Sequence, residues 1–296
     1  MLVGLTLYLQ YLCNLSCIHC FLPESLRRNS SLVMPPQKAK EVMKEAYEHG
    51  IFCVELTGGE ISIYNHKKLM DIILYARSLG QYVRLLTNCV GINEELARFL
   101  GRHHVEVRVS LYGASEETYQ RITGKQVLKR VVSSLKLLKD NGVVTIIHPV
   151  VIKGNEHEAE AMIELASNFT EKNMVSIYTT LYESWDRRGV TELQIEKTDN
   201  NPWGVDLNKT EGSLIARVLR GEINSLNTCP IALGLEIHPD GTVLQCNFAP
   251  QVTLGNVFKE GFSTIIKRAL FRNNVNIATT PPCMQFARET PLLSVE

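Results

Sequence analysis

The chain has no surplus of either charge. Its 296 residues carry 31 lysines and arginines against 31 aspartates and glutamates, which argues against a nucleic-acid binder or a polybasic membrane-surface protein. No apolar run is long enough for a membrane span. The apolar start MLVGLTLYLQYLCN lacks a basic leading segment and a small-residue cleavage site, so it does not read as a signal peptide. No internal repeat and no low-complexity stretch is present. These absences leave a cytoplasmic protein as the expectation, in a compartment where thiols stay reduced. A chain of this length buries roughly three quarters of its unfolded surface and needs no disulfide framework. Its eight cysteines therefore read as metal ligands or reactive thiols.

One further absence is local. The stretch YLCNLSCIHCFLPE (11–24) places Cys13, Cys17 and Cys20 at C-x3-C-x2-C, with no fourth cysteine nearby. Three thiolates underfill a structural zinc site, which is four-coordinate. They suit a cubane iron–sulfur cluster that keeps one iron open. The competing readings are three small buried residues, or a zinc site completed by His19.

What is present is an alternation. Strand-like runs at 3–10, 52–57, 82–87, 105–111, 143–152 and 174–182 are rich in Val, Ile, Thr and Tyr. Helix-like stretches with three-to-four spacing lie between them, at 35–50, 65–80, 93–102, 115–124, 127–142 and 155–169. Asn65 and Ser115 read as N-caps, and Gly50, Gly80 and Gly142 as helix stops. Alternating β and α implies a parallel sheet with right-handed crossovers. Six units fit a partial barrel or a doubly wound sheet. Past residue 183 the rhythm gives way to a polar stretch, then a short helix at 213–223. A hairpin at 228–250 turns on HPDG and carries Cys229 and Cys246. A helix at 261–271 and a tail with Cys283 follow. The division is 1–190, a linking and substrate-framing segment 191–227, and 228–296.

The ends of the first four strands hold the unusual residues. The cysteine loop follows strand one, Thr57-Gly58-Gly59-Glu60 ends strand two, Thr87-Asn88-Cys89 ends strand three, and SLYG (110–113) ends strand four. In α/β barrels the C-terminal strand ends carry the chemistry. Paired glycines let a backbone approach a ligand, and Glu60 offers an acceptor to a cationic group. On these residues, over about 1–185, the chain resembles the radical S-adenosylmethionine (SAM) enzymes.

That resemblance implies a partial (β/α)6 TIM-like barrel and a [4Fe–4S] cluster on Cys13, Cys17 and Cys20, with SAM chelating the open iron. It implies that Gly58-Gly59-Glu60 binds the methionyl amino group, with Thr57 and Asn88 as further cofactor-binding positions. Ser110 would contact the ribose or methionyl part, Arg121 would pair with the carboxylate, and the backbone around Val151 would lie against the adenine. Many members carry an aromatic residue before the third cysteine; here that position is His19, with Phe21 after it. Cys229, Gly241 and Cys246 follow C-x11-G-x4-C, similar to the start of SPASM and twitch extensions. With Cys283 they imply an auxiliary iron–sulfur cluster in a small hairpin-plus-helix subdomain; a Cys3His zinc site using His238 is the rival.

The implied reaction is reductive cleavage of SAM to a 5′-deoxyadenosyl radical that abstracts hydrogen from a substrate, with reduced flavodoxin or ferredoxin as electron donor. A ribosomally made peptide is the favoured substrate, modified by epimerisation, thioether formation or a C–C crosslink. With strand one at residue 3 there is no room for an N-terminal leader-recognition domain, so any leader is expected to bind elsewhere. The alternative is a dehydrogenase or rearrangement enzyme for a small sugar-like or cofactor-precursor molecule. A non-catalytic metal-binding scaffold is the remote one. Cys89, at a position where the family usually has glycine, is either a hydrogen donor to a substrate radical or a small residue filling a turn. Cys53 is expected in the core. The segments at 185–189 and 200–204 either line the substrate entrance or form a structured loop.

Overall fold

A computed structural model of the chain describes residues 4–179, 181, 184–186, 188–195, 234–244 and 253–274. The predicted helix at 213–223, the 200–204 segment, Cys229, Cys246 and Cys283 lie outside the described residues.

Five parallel strands form where the residue pattern places them: β1 (Gly4–Gln10), β2 (Cys53–Gly58), β3 (Tyr82–Thr87), β4 (Glu106–Leu111) and β5 (Thr145–Pro149). Among the described residues of the predicted sixth strand, pairing with the β5 edge is limited to two isolated parallel bridges, Ile147 to Val175 and Val150 to Tyr178. A 3-10 turn at Lys172–Met174 takes its first residue, and the Ser176 N–H donates to the Ile147 carbonyl at 3.0 Å.

The helices are α1 (Glu24–Arg27), α2 (Pro36–Glu48), α3 (His66–Ser78), α4 (Glu94–Arg102), α5 (Glu116–Thr123), α6 (Leu128–Asp140), α7 (Ala159–Ser167) and α8 (Phe262–Asn274). Asn65 and Ser115 cap α3 and α5 by accepting from the Lys68 and Thr118 N–H groups, at 3.1 and 3.2 Å. Asn93, not singled out from sequence, caps α4 in the same way at 2.9 Å. Gly50, Gly80 and Gly142 follow α2, α3 and α6 at φ of 79°, 86° and 65°.

Beyond the barrel strands come β6 (Gly234–Ile237), β7 (Thr242–Leu244) and β8 (Thr253–Asn256). β6 and β7 form the predicted hairpin, with the Gly241 N–H donating to the His238 carbonyl at 2.9 Å. β6 also pairs in parallel with β1, Gly4 opposite Gly234 and Leu7 opposite Ile237. The sheet order is β5-β4-β3-β2-β1-β6-β7-β8. The hairpin thus covers the edge that β1 would otherwise leave unpaired, and α8 packs on β8 and α2.

Register decides which face each side chain takes. Leu5, Leu7, Val54, Leu56, Val83, Leu85, Val107, Val109 and Ile147 line the helix-facing side and are fully buried in one core cluster with α2, α3, α4 and α6. Each such side chain stabilises the fold by about 1.5–3 kcal/mol. The alternate positions Thr6, Tyr8, Glu55, Thr57, Arg84, Arg108, Ser110, His148 and Glu236 turn to the other, inner face. Cys53 shares that parity and is partly exposed rather than in the core. Among the described residues, no helix is long and apolar enough to cross a membrane.

Candidate functional site

The cysteine loop leaves the C-terminal end of β1 and is pinned from two sides. The Cys13 N–H donates to the Arg27 carbonyl at 3.0 Å, closing the loop onto α1. The Ser16 and Ile18 N–H groups donate to Thr123 and Ile122 carbonyls at the end of α5, at 2.9 and 3.0 Å. Arg28 reaches the Cys13 carbonyl at 3.2 Å and the Ser16 hydroxyl. The five described cysteines, Cys53 and Cys89 among them, are unbridged.

Cys17 is 8 % exposed, and Cys13 and Cys20 are partly buried. Burial pushes the Cys13 thiol up to about 12, Cys17 well above its ordinary value, and Cys20 in the same direction. Left to themselves these are neutral thiols. A coordinated metal deprotonates them outright, so the donor set fits a cluster and does not fit free thiolates. Among the described residues, no three His, Cys, Asp or Glu side chains converge tightly enough to hold a single metal ion. Zinc completed by His19 has no geometry here, whereas a cubane spreads its thiolates over a larger body. The His19 ring is tilted against Tyr112 at 5.0 Å, its Nδ1 is buried without a partner, and burial pulls it down to about 4.

The ends of β2 and β3 are tied to the same loop. The Gly59 and Glu60 N–H groups donate to the Gln10 and Leu12 carbonyls, both at 2.9 Å. A Cβ at Gly59 would lie 1.9 Å from the Tyr11 carbonyl oxygen, and one at Gly58 2.1 Å from that of Gln10. Both positions exclude any side chain because the two backbones touch. Glu60 is 2 % exposed. Its carboxylate accepts from the Ser62 N–H (2.7 Å), the Asn88 N–H (2.6 Å) and the Thr87 hydroxyl. The sequence suggested an acceptor for a cationic ligand; in the fold this carboxylate braces β2 against β3. The Asn88 amide then donates to the Asn14 side chain at 2.8 Å and lies 4.0 Å from the Cys13 sulfur. Thr57 is buried on the inner face beside Tyr8. One polar chain thus runs from Gln10 through Glu60, Thr87 and Asn88 to the first cysteine.

Ser110 lies on the inner face of β4, within hydrogen-bonding reach of Tyr112, whose hydroxyl burial pushes well up and which also feels Cys17. Tyr112 belongs to the quoted SLYG but was not singled out. Only its packing on His19 and its closeness to Cys17 mark it. Arg121 is exposed on α5 and donates to the Gly154 carbonyl (2.7 and 3.1 Å) and to the Thr118 hydroxyl (2.9 Å). Glu158 holds the start of α5, accepting from the Ala114 N–H (2.6 Å), the Ser115 N–H and hydroxyl, and the Thr118 hydroxyl (2.7 Å). The N–H groups of Val150, Val151 and Ile152 are all engaged, by Leu111, Tyr178 and Asn155. What that segment offers a ligand is apolar surface and carbonyl oxygen.

Cys89 is fully buried at φ 67°, the left-handed region that glycine favours. Burial pushes its thiol up, with the nearby Glu60 charge adding to the effect and Ser134 on α6 opposing it. Cys89 lies in the core cluster with Val131 and Leu135 of α6, the placement of a residue that fills a turn.

Trp185 and Arg188 clamp the loop from a side the sequence did not reveal. The Trp185 N–H donates to the Phe21 carbonyl at 3.0 Å, and Arg188 donates to the Cys20 and Leu22 carbonyls at 2.7 and 3.2 Å. Trp185 stands edge-on to Tyr11 (6.2 Å) and to His238 (5.4 Å). The His238 ring stacks on Tyr8 at 4.4 Å, and its Nδ1 shares a hydrogen bond with the Tyr11 hydroxyl at 2.7 Å. Its Nε2 is buried without a partner among the described residues.

Residues 7–166 match the model of the Radical SAM superfamily, and residues 231–289 match that of SPASM, an iron-sulfur cluster-binding domain. PqqA peptide cyclase of Streptomyces rochei is 28% identical over 192 residues, covering 64% of this chain and 51% of that protein. PqqA peptide cyclase of Rhizobium meliloti is 26% identical over 274 residues, covering 87% and 71%. A probable GTP 3',8-cyclase of Saccharolobus islandicus is 29% identical over 169 residues, covering 56% and 54%. Across the first of these relatives the chain spans about half of their length. In fold it is similar to native anSMEcpe with bound AdoMet, at TM-score 0.67 and 18% identity, over 92% of this chain and 81% of that one.

Proposed function

This chain belongs to the radical SAM superfamily, and on that premise we propose that it modifies a peptide made on the ribosome. Its two matched domains bring with them a [4Fe–4S] cluster with SAM and auxiliary iron–sulfur binding. When bound, the first pair supplies a carbon-centred radical by one-electron cleavage of SAM, the hard chemistry that the protein itself cannot do. The chain's own residues hold and orient. Cys13, Cys17 and Cys20 are the ligands of the reactive cluster, and Cys229, Cys246 and Cys283 those of the auxiliary one. The backbone of Gly58-Gly59-Glu60, with Thr57, Asn88, Ser110, Arg121 and the Val151 segment, seats SAM across the strand ends. The Gln10–Glu60–Thr87–Asn88 chain fixes that rim, as a site needs when geometry sets the rate. Reduced flavodoxin or ferredoxin delivers the electron.

The observation that carries the peptide reading is how far the matches extend. A match that covers 87% of the chain, and so continues past the barrel, is to a peptide cyclase. The GTP cyclase match covers 56%; it favours a small-molecule substrate as the second reading. The inner face of β2, β3 and β4 offers Glu55, Arg84, Glu106 and Arg108, charged groups suited to a polar substrate. The test incubates the reconstituted enzyme and SAM with peptides encoded beside its gene. A loss of two hydrogens means a crosslink; deuterium uptake from solvent without other mass change means epimerisation. Turnover of a nucleotide or sugar with no peptide modified overturns the reading.

A further inference from the structure

Two adjacent arginines close the cysteine loop and behave differently. Arg28 is exposed and pairs with Glu24 at 3.7 Å; Arg188, on the far side of the loop, pairs with Asp186 at 2.8 Å. Arg27 is 3 % exposed and has no ion pair among the described residues. Its Nε–H donates to the Leu22 carbonyl at 3.0 Å, its own carbonyl accepts the Cys13 N–H, and its buried Nη1 has no partner. A guanidinium does not shed its proton in a protein. Burying one without an anion is strongly unfavourable. The fold therefore contains a fixed buried cation that has no side-chain anion among the described residues.

We propose that Arg27 is the counter-charge of the iron–sulfur cluster held by Cys13, Cys17 and Cys20, and that it makes this cluster easier to reduce. The proposal rests on the radical SAM reading of the triad. The guanidinium is held on the Leu22 carbonyl, two residues past Cys20, and the Arg27 carbonyl holds the Cys13 N–H, so the charge is fixed within the loop that carries the triad. A cubane on three thiolates carries net negative charge, and reduction adds one more electron. A cation fixed in a low-dielectric pocket stabilises the reduced form more than the oxidised one. Arg28 and Arg188 are partly screened by water and already paired, so the effect falls on Arg27.

The test is a redox titration of the reconstituted full chain, followed by electron paramagnetic resonance and reading the cluster signal that responds to SAM. In Arg27→Gln and Arg27→Met the ratio of reduced to oxidised cluster at a fixed potential falls about tenfold, equivalent to about 59 mV for one electron. Arg27→Lys, which keeps the charge, stays within about twofold of wild type. An unchanged ratio in Gln and Met variants that retain wild-type iron and sulfide overturns the proposal and leaves the radical SAM reading standing. Wild-type protein with no iron on the triad overturns both. Melting of cluster-free protein is the second arm and needs no cluster assembly. There Arg27→Met melts higher than wild type, because an uncompensated buried charge is gone; a lower melting temperature makes Arg27 a packing residue and overturns the assignment.

Discussion

The two faces of the barrel sheet are built from the same strands and obey different rules. On the helix side, Leu7, Leu56, Leu85 and Val109 are fully buried among aliphatic neighbours. One residue along each strand, Tyr8, Thr57, Arg84 and Ser110 face inward. Arg84 and Arg108 share Glu106, at 3.2 and 2.8 Å, and Thr6 reaches Glu55 at 3.5 Å. Polar groups on an enclosed face are tolerated when they are paired, and they are retained where a ligand must be recognised. The difference teaches that stability and chemistry are separated by parity. The outer positions hold the fold, and the inner positions and strand ends are available for function.

The sharpest way to break that separation is at the strand-one loop. Replacing Cys13, Cys17 and Cys20 together by alanine abolishes SAM cleavage and removes about four irons per chain, while circular dichroism still reports a folded α/β protein. Loss of the fold instead would mean that the loop belongs to the core. Next in size is the brace between strand ends. Glu60→Ala strands two backbone N–H groups and costs about 2–4 kcal/mol, seen as a lowered denaturation midpoint together with loss of SAM binding. On the outer face, Leu56→Ala costs about 2–5 kcal/mol of stability and leaves SAM affinity of the folded fraction unchanged. On the inner face the pattern inverts: Ser110→Ala weakens SAM binding about tenfold, measured by calorimetry, with little change in melting.

The smallest effects concern pH and Cys89. Burial works to raise the Glu158 carboxyl, but hydrogen bonds from Ser115, Ala114 and Thr118 outweigh it and hold the group below its ordinary value. Its contribution is therefore present above the unfolded carboxylate value and is lost as pH falls through the lower folded one. Glu158→Gln flattens the acid-side drop in melting temperature below about pH 4, and an unchanged acid profile would remove Glu158 from it. Cys89→Ala leaves the product distribution unchanged, as its full burial in the core cluster requires. A changed distribution would return it to the mechanism.

Much of this site was legible because its parts are close in sequence or repeat at strand ends. The C-x3-C-x2-C spacing, the paired glycines and the Asn and Ser caps act over a few residues, so local chemistry is enough to read them. Contacts between distant segments were not. Nothing in the chain near Glu60 indicates that its carboxylate answers to Thr87 and Asn88. Nothing near Trp185 or Arg188 indicates that they close over Phe21 and Cys20, more than 160 residues earlier. At the predicted sixth strand a 3-10 turn takes Met174, and the described residues after it pair with the β5 edge only at Val175 and Tyr178.

The sequence by itself determined the alternation of elements, the spacing of the cysteine loop and the unusual residues at the strand ends, since these follow from periodicity and local composition. Only the tertiary structure decided the rest. It made Glu60 a brace, buried Cys89 in the core cluster and laid β6 along the edge of β1. It also buried Arg27 while leaving its neighbour Arg28 in water. Two adjacent residues of one type differ only in which way the backbone turns them, and that turn is set by contacts no local pattern contains.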